Sequence, residues 1–407
     1  MENQTLSPKI EKKIKRTRFD LFDAGYACIC FIILQFIISL VIEMFRTEIA
    51  INPVLLYIAQ FVVEAVFIFA SMIVSSSRNV EFVKATTYNK KFDWKIALLA
   101  VAISVICIFG FSSLTNVFVY SLEKLSYKSS GSISIPNFGI YVLYVFLMCV
   151  VPAVFEETLF RSTILNGMRE KGKHYAVLMS ALIFMLMHGG PDQTIHQFIL
   201  GVVLGYVFVY TGSIWVTVLI HFLNNFYAVT AIYIMGAGSA ETGAEIAEEL
   251  PSWGVLALNL MFGIAIASIA SYLIYLCIKG MILSKQNEEK KQKEKFDLLL
   301  EKETLTEKEI AWLKKYQSQK DEYLVYEKEE QKRKQEKNEA IFGKTEENVV
   351  STSVEEDVQN QTAGSEKNLV SIKPEKKSNV GYVAMLAVSL VWLIGQWVLT
   401  LIAGFIA

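Results

Sequence analysis

Nine stretches of the chain are nearly free of charge and approach or exceed the length of a bilayer crossing. They lie near residues 21–45, 52–75, 95–120, 139–163, 174–189, 194–211, 213–236, 253–283 and 381–406. A span needs about 20 apolar residues. Hydrocarbon offers no hydrogen bonds, so each backbone N–H and C=O must be paired within the segment, and such stretches fold as helices. The expected fold is therefore all-α: a polytopic transmembrane helical bundle of about eight core helices plus a ninth, C-terminal span. Of the 407 residues, 53% are hydrophobic, a composition that excludes an ordinary soluble domain. The fifth and sixth stretches are short and separated by Gly189-Gly190-Pro191-Asp192, a turn composition. They read as two short helices or as a hairpin that does not fully cross.

The net charge of −1 hides a strong segregation, because charge is concentrated at the N-terminus and in residues 284–380. Lys9, Lys12, Lys13, Lys15, Arg16 and Arg18 precede the first stretch. Arg78, Lys84, Lys90, Lys91 and Lys95 follow the second, and Arg169, Lys171 and Lys173 follow the fourth. The loop at 237–252 is acidic, with Glu241, Glu245, Glu248 and Glu249. Basic residues near span ends mark the cytoplasmic side, so the expected topology has the N-terminus inside and the C-terminus outside. The polar leader is long and no small-residue cleavage site follows it, unlike a cleavable signal peptide.

This gives five regions: a basic cytoplasmic N-terminus at 1–20, a membrane domain at 21–283 with its motif core at 139–236, a charged helical cytoplasmic insert at 284–343, a disordered linker at 344–380, and a C-terminal transmembrane helix at 381–407. Within the insert, Thr306-x-x-Glu309 ahead of Ile310, Trp312 and Leu313 is a capping-box start for a short helix. The Lys285–Lys295 end is expected to rest near anionic lipid, and residues 284–343 offer a surface for a protein partner. Residues 344–376 carry too few apolar side chains to offset their ordering entropy. The five cysteines, Cys28, Cys30, Cys107, Cys149 and Cys277, all lie in apolar stretches without zinc-like spacing and read as small hydrophobes. Nothing in the charge pattern points to nucleic acid.

Ionisable side chains inside a bilayer cost a few kcal/mol on insertion scales and are functional candidates by default. Here they crowd into residues 156–225 as Glu156-Glu157-x-x-x-Arg161, Phe184-x-x-x-His188 and His221-x-x-x-Asn225. Counting inward at about 1.5 Å per residue puts Glu156 roughly 20 Å, His188 roughly 22 Å and the His221–Asn225 pair about 12–18 Å from the cytoplasmic ends. The groups thus share one layer. Glu156 and Glu157 are neighbours and diverge by about 100° around a helix. Glu157 has Arg161 at i+4, the favourable order for an ion pair, which leaves Glu156 as the uncompensated carboxylate and candidate general base. His188 suits a proton relay or the orientation of a water. His221 and Asn225 present two donors from one helix face, as a developing oxyanion requires. Pro152 removes the helical hydrogen bond to the carbonyl of Met148 and is expected to bend the helix beside the cavity.

The three motifs, Phe155-Glu156-Glu157-Thr158-Leu159-Phe160-Arg161, Phe184-Met185-Leu186-Met187-His188 and His221-Phe222-Leu223-Asn224-Asn225, resemble those of the CAAX-protease and bacteriocin-processing (CPBP, or Abi) family of intramembrane endopeptidases. The resemblance covers roughly residues 95–235. It implies an endopeptidase of the bacterial cytoplasmic membrane acting on a membrane-embedded or lipidated peptide, prenylated or bacteriocin-like. Glu156, His188, His221 and Asn225 are then the catalytic candidates, supported by Glu157, Arg161 and Phe184. Family members have been described as both metallo- and glutamate-type proteases. The residues here favour no metal; if one is bound, such as zinc, Glu156, His188 and His221 are its candidate ligands. Two other readings use the same features: a non-catalytic bacteriocin-immunity or scaffold protein, and a proton-coupled transporter, which the lack of visible inverted repeats disfavours.

The remaining polar residues in apolar stretches read as structural. His174 lies at the cytoplasmic interface, His196 off the common layer, Glu43 near the outer boundary, and Glu64 is a buried acid without an assigned role. Gly201-x-x-x-Gly205 is expected to form a close-packing helix face.

Overall fold

The computed structural model describes residues 16–88, 93–128, 134–242, 250–302, 305–318 and 377–406, with backbone alone for 237–242 and 377–379. The basic leader before Arg16, Lys90 and Lys91, the acidic residues Glu245, Glu248 and Glu249, and residues 344–376 of the expected disordered linker lie outside the described residues, whereas the linker's last four residues, 377–380, are helical. Among the described residues the principal helices of the apolar stretches are, in order, α1 (Leu21–Met44), α2 (Pro53–Ser77), α3 (Trp94–Lys124), α4 (Phe138–Lys171), α5 (Lys173–Met187), α6 (Pro191–Thr211), α7 (Ile214–Thr242), α8 (Trp253–Leu300) and α9 (Lys377–Ile406). Their contacts divide into two compact units, Met1–Lys285 with Glu375–Ala407, and Gln286–Pro374.

The fold is the expected all-α membrane bundle, with one correction. Among the described residues, eight helices are long and apolar enough to cross a membrane, and the expected fifth span is not one of them. Lys173–Met187 has only 15 residues. It is shortened by Gly172 and Gly189, whose φ angles of 109° and 67° end the helix on either side. Helix α8, in turn, runs well past the expected boundary at 283 into the charged region, ending at Leu300.

Each segment's polarity decides its outward and inward faces. Large apolar side chains such as Ile33, Phe36, Leu40, Phe69, Phe109, Met261, Phe262, Ile269, Val391 and Leu399 are exposed on the outer surface, where lipid replaces water. Inside, α4 turns a polar strip inward: Glu156, Glu157, Thr158, Arg161, Ser162 and Thr163 are all buried. Helix α1 packs on α2 and α9, α2 on α4, α3 on α7, and α4 on α7.

Helices α5 and α6 form a tight hairpin on the small-residue face read from the sequence. A methyl group added at Gly201 would lie 3.0 Å from the Cα and Cβ of Ala181, and one at Gly205 would lie 2.9 Å from Val177 Cγ1. At the start of α1, Asp20 and Asp23 make a reciprocal capping box. The fully buried Asp23 also pairs with Arg16 at 3.0 Å and Arg78 at 2.9 Å, tying the entry of α1 to the end of α2.

In the second unit, the capping box expected at Thr306 is present. Glu309 Oε2 accepts from the Thr306 backbone N–H at 2.8 Å, and the Glu309 N–H points to Thr306 Oγ1 at 3.4 Å. The Thr306 backbone bond, and then the Lys302 ammonium, hold the Glu309 carboxyl down at about 2. Trp312 stacks on Tyr316, Phe296 meets the same ring at a tilt, and Lys295 lies over the Trp312 ring.

Candidate active site

Helix α4 is not a uniform α-helix. Val145–Val150 and Thr158–Leu165 are π-helical, flanking an α-helical turn, Val151–Glu157, that carries both glutamates. A π-turn adds a residue to the turn and re-aims the side chains around it, a device common at functional sites. Pro152 marks the return from the first widened turn to α geometry.

The Glu157–Arg161 pair forms as the i+4 spacing implies, with Nη1 2.9 Å from Oε1 and the two side chains 1% exposed or less. The same Glu157 oxygen lies 3.0 Å from His221 Nδ1. Glu157 is therefore more than a staple for Arg161: its carboxylate accepts the Nδ1–H of His221 and directs Nε2 away from itself. Glu156 occupies that other side, with Oε2 3.9 Å from His221 Nε2 and 3.9 Å from His188 Nε2. The neighbouring glutamates diverge, as expected, yet they address opposite edges of one imidazole ring.

His188 follows the last residue of α5, where Gly189 turns the chain. Its Nδ1 lies 2.8 Å from the Phe184 carbonyl oxygen. A carbonyl only accepts, so Nδ1 carries the proton, and in the neutral form of the ring the lone pair then lies at Nε2. Three atoms thus converge: Glu156 Oε2 and the Nε2 atoms of His188 and His221. The 3.9 Å separations exceed direct hydrogen-bond lengths and match a gap bridged by one small donor. Side-chain exposure is 19% for His188 against 6% for Glu156 and 2% for His221, so His188 forms the accessible edge.

Phe184 walls the cluster. Its ring meets those of His188 and His221 edge-on, with centroids 4.7 and 5.9 Å away, and the Arg161 guanidinium sits 4.4 Å from its centroid. Arg161 also reaches the Gly201 carbonyl at 3.5 Å. Asn225 points its amide at the Met148 carbonyl, 3.0 Å away.

One residue that the sequence reading left without a role joins this neighbourhood. Glu64 on α2 is buried, with Oε1 accepting from Gln60 at 3.0 Å and Oε2 unpartnered. The contacts along α2 and α4 run in step: Phe61 against Phe155, Phe67 against Phe160, and Ser71 bonded to Thr163. That register puts Glu64 at the level of Glu156 and Glu157. The signal in the sequence was a lone acid in an apolar stretch; the helix register that gives it meaning was not legible there.

A zinc ion takes imidazole nitrogens at about 2.0–2.1 Å and carboxylate oxygens at about 2.0–2.2 Å. The described residues hold no group of three or more His, Cys, Asp or Glu side chains arranged to hold a metal ion.

Comparison with known proteins supports the family read from the motifs. Residues 138–227 match the family model described as "Type II CAAX prenyl endopeptidase Rce1-like". The matched segment contains all three motifs and is narrower than the 95–235 expected. No curated protein and no solved structure matches the chain.

Proposed function

We propose that the chain is an intramembrane endopeptidase that hydrolyses a peptide bond in a membrane-associated substrate, with Glu156 as general base. The observation that carries this reading is the convergence of Glu156 Oε2 with two imidazole Nε2 atoms, each 3.9 Å away, inside the bundle. A water held among them gives one proton to Glu156 while its oxygen attacks the scissile carbonyl carbon. His188, fixed by the Phe184 carbonyl, orients that water. The carbonyl π electrons move onto oxygen, and the resulting oxyanion accepts hydrogen bonds from Asn225 and from His221 protonated at Nε2. Glu157 supplies the countercharge that a protonated His221 needs, and Arg161 pairs with the same Glu157 oxygen. As the tetrahedral intermediate collapses, the C–N bond breaks and the amine nitrogen takes the proton from Glu156. No step requires a cofactor.

The substrate class follows the matched family: a peptide with a prenylated C-terminal Cys-a-a-X sequence, reaching the site from the bilayer. The apolar helices and the distribution of basic loops support a location in the bacterial cytoplasmic membrane, with those loops and residues 284–380 inside. The direct test is cleavage of a farnesylated, internally quenched Cys-a-a-X peptide by the full chain in nanodiscs. Glu156→Gln is expected to abolish cleavage, and exhaustive chelation is expected to leave it intact. Intact cleavage by Glu156→Gln refutes the assigned base; zinc-dependent loss and recovery of activity refutes the metal-free mechanism.

A further inference from the structure

We infer that Pro152 is a positioning residue for Asn225, keeping the Met148 carbonyl open as the dock that fixes the Asn225 amide. The inference rests on the proposed role of Asn225 as an oxyanion donor. In a regular α-helix the carbonyl of residue 148 accepts the backbone N–H of residue 152. Proline has no N–H to give. The turn before it, Val145–Val150, is π-helical, with the Val151 N–H on the Phe146 carbonyl; Pro152 lies in the α-helical segment Val151–Glu157 that follows, in whose register its N–H would fall to Met148. Into that position reaches Asn225 Nδ2, from a different helix 77 residues away in sequence, at 3.0 Å.

The adjacent asparagine shows what the side chain does without such a dock. Asn224 Nδ2 folds back onto its own helix, donating to the Ile220 carbonyl at 2.9 Å. Asn225 instead spans to α4. A carboxamide has two N–H donors, so engaging one on Met148 sets the plane of the group and the direction of the second. His221, one turn earlier on the same helix, is fixed in a similar way by Glu157. Both proposed oxyanion donors of α7 are therefore oriented by α4, one through a side chain and one through a carbonyl exposed by proline.

Restoring the N–H tests this without removing any polar side chain. In Pro152→Ala the new amide competes for Met148, and Asn225 is released to back-bond on its own helix as Asn224 does. Alanine is the best helix former, so the thermal midpoint should equal or exceed that of wild type. With the farnesylated Cys-a-a-X peptide and the full chain in nanodiscs, Pro152→Ala should lower kcat on the order of ten- to a hundredfold with KM unchanged, the scale of a misplaced catalytic group. Asn225→Ala should lower kcat about 10²–10³-fold. Adding Pro152→Ala to Asn225→Ala should cost no more than about twofold further, because coupled residues are not additive.

Full activity of Pro152→Ala beside a crippled Asn225→Ala overturns the inference and spares the proposed function. An equal loss from Pro152→Ala in both backgrounds also overturns it, since proline then acts by another route. Full activity of Asn225→Ala, or no Glu156-dependent cleavage by wild type, overturns the parent reading and this inference with it. Should Pro152→Ala fail to accumulate, Pro152→Val supplies the same N–H with closer volume and is read in the same way.

Discussion

Glu156 and Glu157 are adjacent in the chain and have different environments. Glu157 meets Arg161 at 2.9 Å and His221 at 3.0 Å through one oxygen, whereas Glu156 Oε2 lies 3.9 Å from each of two imidazoles and has no hydrogen-bond partner among the described residues. The two substitutions should therefore fail differently. Glu156→Gln should accumulate and melt like wild type while losing catalysis. Glu157→Gln leaves Arg161 buried without its countercharge, a change that typically costs about 3–5 kcal/mol, and it should lower the thermal midpoint of the purified protein. Glu157→Gln combined with Arg161→Met should recover part of that loss, because replacing both members of a buried pair is cheaper than orphaning one. A stable, inactive Glu157→Gln beside a Glu156→Gln that fails to accumulate would reverse the assignment. At this scale the sequence was informative about identity and incomplete about partners. The i+4 spacing gave the Glu157–Arg161 pair, because helix geometry alone dictates it. Glu157–His221 and Asn225–Met148 join helices distant in sequence, and no periodicity encodes the rotation of one helix against another.

Helix α4 works through its irregularity. Two π-turns bracket the glutamates, and its partner helices meet it through small residues and short polar contacts. The α5–α6 hairpin illustrates the tolerance: Gly201 packs against Ala181 and also offers its carbonyl to Arg161. Gly201→Val should force α5 and α6 apart, at roughly 1–3 kcal/mol for overpacking. It should also disturb Arg161, so the thermal midpoint and activity should fall together. A Gly201→Val protein with wild-type stability would show that close approach is not what this glycine provides. The Gly201/Gly205 face was legible because small-xxx-small spacing has a direct packing consequence. The shortness of α5 was legible too, but its exact ends were not, since its apolar pattern continues to the histidine while two glycines of positive φ decide them. The π-turns carry no sequence signature beyond Pro152.

Across the whole molecule, apolar helix faces turned to lipid surround a buried polar strip, and the motif-bearing segment 138–227 supplies that strip. Helix α9, outside this segment, packs along α1, with Tyr382 bonded to Tyr175 at 2.9 Å and Trp397 to Thr194 at 3.0 Å. The pattern of basic loops predicts that residues 284–380 face the cytoplasm and Ala407 the outside. In a cysteine-free background, a cysteine introduced at Lys314 should react with a membrane-impermeant maleimide only after the membrane is opened; labelling in intact cells would overturn that topology. The central claim is that Glu156 and its two histidines form a hydrolytic centre for membrane-bound peptides. It is tested most directly by comparing peptide termini in membranes of a deletion strain complemented with wild type or with Glu156→Gln at equal abundance. The account predicts a defined set of new termini with wild type that is absent with Glu156→Gln. Identical termini in the two strains, with both proteins folded and present, would contradict it.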